Sequence, residues 1–355
     1  MRFAPIAAAL AAAWSLPATS AEPADCRSIA DDGARLACYD AAMGRSLGVV
    51  AAPATAAAPA ADASAKADSR RPFEDVNSDK PQTFAERWEL DPETKDGVFK
   101  IKPYEPVYVL PAYWRRDINR QPCSSNPINC SPTPIGATYG HTEIKFQLSL
   151  KTKVWQDILG SNADLWAAYT QRAFWQAYDN TDSSPFTETD YQPETWLTIP
   201  LKIGPDWFQW RMVNLGLVHQ SNGQTNPLSR SWNRAYAMFG FTSGDLSLTI
   251  KPWWRFKETL PSDNNPDITD YTGRMEVRAV YPLGRNVLSA TLRNNLKFNH
   301  ETTPNRSFVQ AEWAFPLYGN LHGYVQGFYG WGETLQNYNF RNTGVGIGVS
   351  LVEWR

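Results

Sequence analysis

The sequence predicts an all-β protein: a twelve-stranded antiparallel transmembrane β-barrel with a short N-terminal periplasmic extension. Three observations predict it. Apolar and polar residues alternate strictly over long stretches, many of these stretches are long enough to cross a bilayer as tilted strands, and the connections between them are by turns long and tight.

The alternation is plain at Ile144, Phe146, Leu148 and Leu150, which are separated by Lys145, Gln147 and Ser149. Leu246, Leu248, Ile250, Pro252, Trp254 and Phe256 form a second such row, and Val345, Ile347, Val349 and Leu351 a third. A period of two is a strand with one apolar and one polar face. Twelve strands are expected, near 105–116, 141–153, 164–178, 191–203, 207–221, 229–241, 245–257, 271–282, 286–298, 306–317, 320–332 and 340–352. Many reach the roughly 9–11 residues of a membrane strand, against about five or six in soluble sheets. Segments 117–140, 179–190 and 258–270 are long connections, whereas Thr242-Ser243-Gly244-Asp245, Leu283-Gly284-Arg285 and Tyr318-Gly319 are tight. Long outer loops and short periplasmic turns follow, with both barrel termini on the periplasmic side. A soluble β-sandwich also alternates, with its apolar face as the core. Strand length, loop asymmetry and export favour the barrel, whose apolar faces meet lipid while Lys, Arg, Glu and Gln line a polar lumen.

The start of the chain gives an address. Met1 and Arg2 precede an apolar run from Phe3 to Leu16, and Thr19-Ser20-Ala21 supplies small residues for cleavage. Residues 1–21 read as a secretory signal peptide cut after Ala21. Residues 22–43 read as a small helical segment, and 44–103 as an Ala-rich linker followed by a polar segment of unassigned structure. The barrel domain spans 104–355. After the signal, no apolar stretch reaches the roughly 18–20 residues of a membrane helix. A net charge of −2 gives no reason to expect a nucleic acid partner. The 15 Trp, 15 Tyr and 16 Phe suit carbohydrate binding, a large β core or the aromatic girdles of a membrane barrel.

Export makes disulfides possible. Four cysteines allow three connectivities, and no histidine lies near them to suggest a metal site. Their grouping into two close pairs favours Cys26 with Cys38 and Cys123 with Cys130.

The chain has no Gly-x-Ser-x-Gly elbow, no phosphate-binding glycine loop and no zincin helix. Its chemistry concentrates in the segment from Leu215 to Gly223 and in Ser229-Arg230-Ser231-Trp232-Asn233-Arg234. Val213, Leu215 and Leu217 define an apolar face that His219 and Ser221 continue. On the next strand Arg230, Trp232, Arg234 and Tyr236 suit the lumen, which turns Asn233 outward. The hairpin is centred near Asn226, so His219 falls across from Asn233. Ser221, His219 and Asn233 therefore converge on the outside of the barrel, at its extracellular rim. Polar groups facing lipid are costly unless they have a partner or a task. A polar collar at the membrane boundary is one reading. The other is catalysis, with histidine taking the serine proton and asparagine holding the imidazole tautomer.

At these residues the sequence resembles the outer membrane phospholipase A family. The resemblance is carried by Ser183-Ser184-Pro185-Phe186, His219-x-Ser221-Asn222-Gly223, Ser229-Arg230-Ser231-Trp232-Asn233-Arg234, Asn265-Pro266-Asp267-Ile268-Thr269 and Tyr338-Asn339-Phe340. It covers roughly 105–355 and leaves 22–103 outside. It implies a twelve-stranded barrel with Ser221 as nucleophile, His219 as base and Asn233 as orienting residue. The Gly223 N–H and a calcium-bound water would form the oxyanion hole. It also implies calcium as cofactor, held by the Ser183 and Gln224 carbonyls and the Ser229 hydroxyl, all oxygen ligands. Activity would require a homodimer, with Gln171 at the interface, where Tyr169, Ala173 and Trp175 share its face. Gln224 and Asn226 stand where the family often has arginine and aspartate. A carbonyl ligand tolerates the first change, whereas the second removes a carboxylate. Glu353-Trp354-Arg355 departs from the terminal aromatic usual in barrels.

The expected function is therefore calcium-dependent hydrolysis of the sn-1 and sn-2 acyl esters of phospholipids and lysophospholipids, at a site facing the outer leaflet of a Gram-negative outer membrane. The alternatives are a non-enzymatic porin or transport barrel and a soluble, aromatic-rich carbohydrate-binding domain.

Overall fold

The computed structural model describes residues 26–42, 82–298 and 303–352. The signal peptide and its cleavage site, the Ala-rich linker, His300 and Glu353-Trp354-Arg355 lie outside the described residues. The chain divides into two units, 1–68 and 69–355. In the first, a short 3-10 turn, Cys26–Ser28, precedes helix α1, Asp32–Ala42, and the Cys26–Cys38 disulfide ties the two together. The Asp31 side chain accepts from the Ala34 N–H at 2.8 Å, satisfying a free donor where the helix starts.

The second unit is nearly all strand. After helix α2 (Phe84–Trp88) come β1 (Ile101–Pro103), β2 (Val107–Arg115), β3 (Thr142–Trp155), β4 (Asp164–Trp175), β5 (Phe186–Ile203), β6 (Gln209–Ser221), β7 (Ser231–Ser243) and β8 (Leu246–Arg255). Helix α3 (Ile268–Tyr271) then precedes β9 (Met275–Leu283), β10 (Asn286–Asn294), β11 (Ser307–Tyr318), β12 (Leu321–Trp331) and β13 (Arg341–Val352). Consecutive strands from β2 to β13 pair antiparallel, and β13 pairs back onto β2, so twelve strands close into a barrel. The three-residue β1 pairs with β3 at Leu150–Thr152, beyond the stretch of β3 that β2 occupies. Turns such as Leu283–Asn286, with Gly284 at φ +61°, close one end. The long loops gather at the other.

The faces are those of a membrane barrel. Glu143, Lys145, Gln147, Ser149, Lys151 and Lys153 of β3 are all buried inside, whereas Leu148, Leu215, Leu217, Trp254, Val309, Ile347 and Leu351 lie exposed on the outer wall. Buried charges need partners. Arg115 meets Glu143 at 2.8 Å, Lys145 meets Glu333 at 3.1 Å, and Lys251 meets Glu194 at 3.3 Å.

The structure corrects several boundaries, among them the ends of β4 at Trp175 rather than 178 and of β10 at Asn294 rather than 298. β5 starts at Phe186 rather than 191, because Thr187-Glu188-Thr189-Asp190 is polar on both faces and shows no apolar period. β9 starts at Met275 rather than 271, because Tyr271 ends α3 and Gly273, at φ +106°, turns the chain before the strand.

The polar part of 44–103, whose structure the sequence left unassigned, is described from residue 82 onward. It is built into the tight-turn end of the lumen. Thr83 and Glu86 form a reciprocal cap on α2, with bonds of 3.2 and 2.7 Å. The helix delivers Trp88 into a buried cluster with Tyr104, Trp166 and Trp196. Lys151 lies 4.6 Å from the Trp88 ring and donates to the Arg87 carbonyl at 2.6 Å. Glu89 pairs with Lys153 at 2.7 Å, and Asp91 receives Arg211 through both carboxylate oxygens at 2.9 and 3.0 Å. The polar residues of this segment answer polar residues of the lumen, so no apolar pattern announces them.

Candidate active site

Strands β6 and β7 form the hairpin that carries the site. Their register pairs His219 with Asn233, Gln220 with Trp232, and Ser221 with Ser231. Parity then separates the faces. Trp232, Arg234 and Tyr236 are buried on the lumen side, and Trp232 Nε1 donates to Gln220 Oε1 at 2.9 Å. His219, Ser221 and Asn233 lie on the outer wall above the exposed Leu215 and Leu217. His219 Nδ1 and Asn233 Oδ1 are 2.8 Å apart. Because an amide oxygen only accepts, this contact requires the proton on Nδ1 and leaves Nε2 with a free lone pair.

Past Ser221 the loop 222–230 is held by its own side chains. Asn222 is buried. Its Oδ1 accepts from the N–H groups of Arg230 and Gln224 at 2.9 and 3.3 Å, and its Nδ2 donates to the Leu228 carbonyl at 2.9 Å. Gly223 has φ +64°, and a Cβ there would come within 2.9 Å of the Tyr191 ring, so the position admits glycine alone without strain. Arg230 is fully buried and donates to the carbonyls of Pro227, Ser229 and Asn129 at 2.8 to 3.0 Å.

The residues expected to hold calcium are split between loops. Gln224 and Ser229 lie together in the loop 222–230, where the Ser229 hydroxyl accepts from Asn264 at 2.9 Å. Ser183 lies in the loop between β4 and β5, at φ +55° and followed by Ser184 at φ +51°, and the Trp175 indole fixes that loop by donating to the Ser184 carbonyl at 2.8 Å. The donors are all oxygens, which fits a hard cation. Among the described residues no cluster of three His, Cys, Asp or Glu offers a competing site.

Gln171 pairs with Tyr191, Tyr191 with Ser221, and Ser221 with Ser231. One row across four strands thus holds Gln171 and Ser221, two strand spacings apart, about 10 Å. The Tyr169 hydroxyl donates to Gln171 Oε1 at 3.3 Å.

Two neighbours were not singled out in the sequence. Glu258 Oε1 accepts from Asn233 Nδ2 at 3.2 Å. Extending the row Trp254, Phe256 by one step reaches Glu258, so that signal was present. Asn129, in the loop closed by the Cys123–Cys130 disulfide, reaches the loop 222–230 from a hundred residues away. No local pattern points to that contact.

A model of the phospholipase A1 family matches residues 84–351. The chain belongs to the phospholipase A1 family. The match begins at α2, earlier than the roughly 105 at which the resemblance was placed, in keeping with α2 being built into the barrel. Phospholipase A1 of Klebsiella pneumoniae is 35% identical over 258 residues, covering 72% of this chain and 84% of its own. The Salmonella typhi outer membrane phospholipase, solved as a dimer with bound calcium, aligns with a TM-score of 0.64 at 34% identity, over 73% of this chain and 95% of its own. An Escherichia coli outer membrane phospholipase A structure with an asparagine-to-alanine active-site mutation aligns with a TM-score of 0.62 at 33% identity, over 73% and 94%.

Proposed function

We propose that the chain is an outer-membrane phospholipase that hydrolyses the sn-1 and sn-2 acyl esters of phospholipids and lysophospholipids, using Ser221, His219 and Asn233. The register pair of His219 and Asn233, on the outer wall with Ser221 two residues on, carries this reading. The active-site asparagine mutated in the Escherichia coli family member supports it.

Ser221 Oγ attacks the acyl carbonyl while His219 Nε2 takes its proton, and Asn233 holds the ring through Nδ1. The oxyanion lies against the Gly223 N–H. Collapse breaks the ester bond. The departing glycerol oxygen takes the proton from His219. Water then attacks the acyl-serine with His219 as base again, the acyl–Oγ bond breaks, Ser221 Oγ recovers a proton from His219 and the fatty acid leaves. The long loops face outward from the cell, which sets Ser221 beside esters of the outer leaflet.

In this reading the Ser183 and Gln224 carbonyls and the Ser229 hydroxyl would hold calcium, which would supply positive charge to stabilise the oxyanion. A second copy of the chain docks on the Gln171 face and completes the site. The shared row of Gln171 and Ser221 favours this arrangement, since a partner seated on Gln171 also flanks the nucleophile.

The test is hydrolysis of a detergent-dispersed phospholipid, with and without calcium, by the wild type and Ser221→Ala. The reading requires activity in the wild type with calcium and loss of it in the variant. A sulfonyl fluoride should label Ser221; labelling at Ser229 or Ser231 would mean a different nucleophile.

A further inference from the structure

We propose that Glu258 is a positioning residue of this site, fixing which way the Asn233 amide points and lending its charge to the histidine behind it. The inference rests on the Ser221–His219–Asn233 reading and extends it by one residue.

The placement follows from strand geometry. β8 carries Leu248, Ile250 and Trp254 outward, and Trp254 is 77% exposed. Pairing with β7 continues past the end of the strand, because the Phe256 N–H donates to the Asn233 carbonyl at 2.9 Å. Phe256 and then Glu258 prolong the outward row. A carboxylate following two exposed aromatics at the rim of a membrane surface is costly without a partner. Its partner is the Asn233 side chain, at 3.2 Å.

An ionised carboxylate accepts hydrogen bonds and donates none. Asn233 must therefore turn Nδ2 toward Glu258, and its Oδ1 then faces His219. Since Oδ1 only accepts, His219 must carry its proton on Nδ1 and keep Nε2 for Ser221. A carboxylate just past the end of β8 thus selects the tautomer of a histidine on β6. It supplies a second thing the asparagine lacks. Asn233 is neutral and offers an imidazolium no opposite charge; Glu258 places one behind the amide, in a polarised chain of hydrogen bonds.

Other charges nearby are engaged elsewhere. Arg234 lies 3.9 Å from the Trp232 ring on the lumen side. Arg255 pairs with Asp263 at 2.6 Å, and Arg274 with Asp270 at 3.3 Å. Lys257 is exposed and falls on the alternate parity.

The test compares the full-length wild type, Glu258→Gln, Glu258→Ala and Ser221→Ala, with folding checked by heat-modified gel mobility. Both Glu258 variants should lose about tenfold in kcat with KM unchanged. Glutamine keeps the size, so a packing role would leave kcat of Glu258→Gln at the wild-type value. In an Asn233→Ala background, Glu258→Ala should add no further loss. Wild-type kcat in Glu258→Gln, with Ser221→Ala inactive, would overturn the proposal, as would a loss confined to KM. Full activity in Ser221→Ala would instead remove the reading on which it rests.

Discussion

Asn129 donates through Nδ2 to the Asn226 side-chain oxygen at 2.8 Å and to the Ser229 carbonyl at 3.2 Å, joining the first long loop to the loop that follows Ser221. Its own carbonyl accepts from Arg230 at 2.9 Å, and the side chain is fully buried. Asn126, three residues before it, donates to the Pro261 and Asp263 carbonyls at 3.2 and 2.8 Å. One short segment therefore sets two neighbouring loops at once. Asn129→Ala removes both side-chain bonds to 226 and 229, each contributing about 1 kcal/mol. The expected outcome is a higher calcium requirement in the hydrolysis assay, with barrel stability close to wild type. An unchanged calcium titration would separate Asn129 from the site.

Reduction tests the same clamp from the covalent side. Cys123 and Cys130 close the segment that holds Asn126 and Asn129. In the chain-entropy model so short a ring contributes on the order of 2–3 kcal/mol. Reductant should lower activity while the barrel keeps its heat-modifiable mobility, since no strand of the barrel depends on the bond. Free thiols titrating in the denatured, unreduced protein would show that the bridge does not form.

The three central residues should differ in their effects. Ser221→Ala and His219→Ala each remove the covalent route and should lose several orders of magnitude in rate, and the double variant little more, because the pair acts as a unit. Asn233→Ala should lose on the order of a hundredfold and leave measurable hydrolysis, since it orients the base without taking part in proton transfer. Steady-state rates on a detergent-dispersed substrate decide the order. Equal losses in all three would give Asn233 a larger role.

Chelation and dimerisation should report together. Excess chelator should abolish hydrolysis and leave the barrel folded. Gln171→Ala should weaken self-association, measured by sedimentation in detergent, and shift the protein concentration needed for activity upward. Full activity in excess chelator would take calcium out of the mechanism. Asn226 in place of a carboxylate predicts a calcium requirement higher than in relatives that keep the acid, because a neutral oxygen binds a divalent cation less strongly.

Trp88→Ala tests the tight-turn end. It removes ring contacts with Tyr104 and Trp196 at 6.1 and 6.2 Å and the face that Lys151 approaches. A loss of about 3–5 kcal/mol is expected, read as a lower unfolding midpoint. The effect on hydrolysis in the folded protein should be small, because the proposed catalytic side chains, Ser221, His219 and Asn233, lie on the outer wall near the opposite end.

The barrel was legible because its signal is repeated. Each strand gives an independent period-two pattern, and errors of a few residues at 186–190 or 271–274 do not change which face Ser221 occupies. The placement of His219 across from Asn233 followed from hairpin symmetry about Asn226, which needs only that no bulge intervene. The register shift in this hairpin falls at Trp210/Met212, well below the site, so the parity survived. What the sequence did not show were contacts without a period. Glu89 with Lys153 joins the residue after α2 to a distant strand, and Asn129 with Asn226 joins two loops about a hundred residues apart, so neither contact leaves a local pattern. Glu258 is intermediate: its face was deducible from Trp254 and Phe256, but its bond to Asn233 required coordinates.

The occupied lumen has a consequence for the cell envelope. Trp88, Trp166 and Trp196 with the ion pairs of Lys153 fill the tight-turn end, and a cavity of about 280 Å³ beside them is lined by Phe84, Arg211, Lys251 and Arg278. Side chains packed across the lumen at this end predict little conductance by the purified barrel in a planar bilayer. In the cell the expected outcome is a permeability to nutrients or antibiotics that does not rise with copy number. With Ser221 on the outer wall as the proposed nucleophile, substitutions of lumen residues that keep the charges matched should leave hydrolysis unchanged.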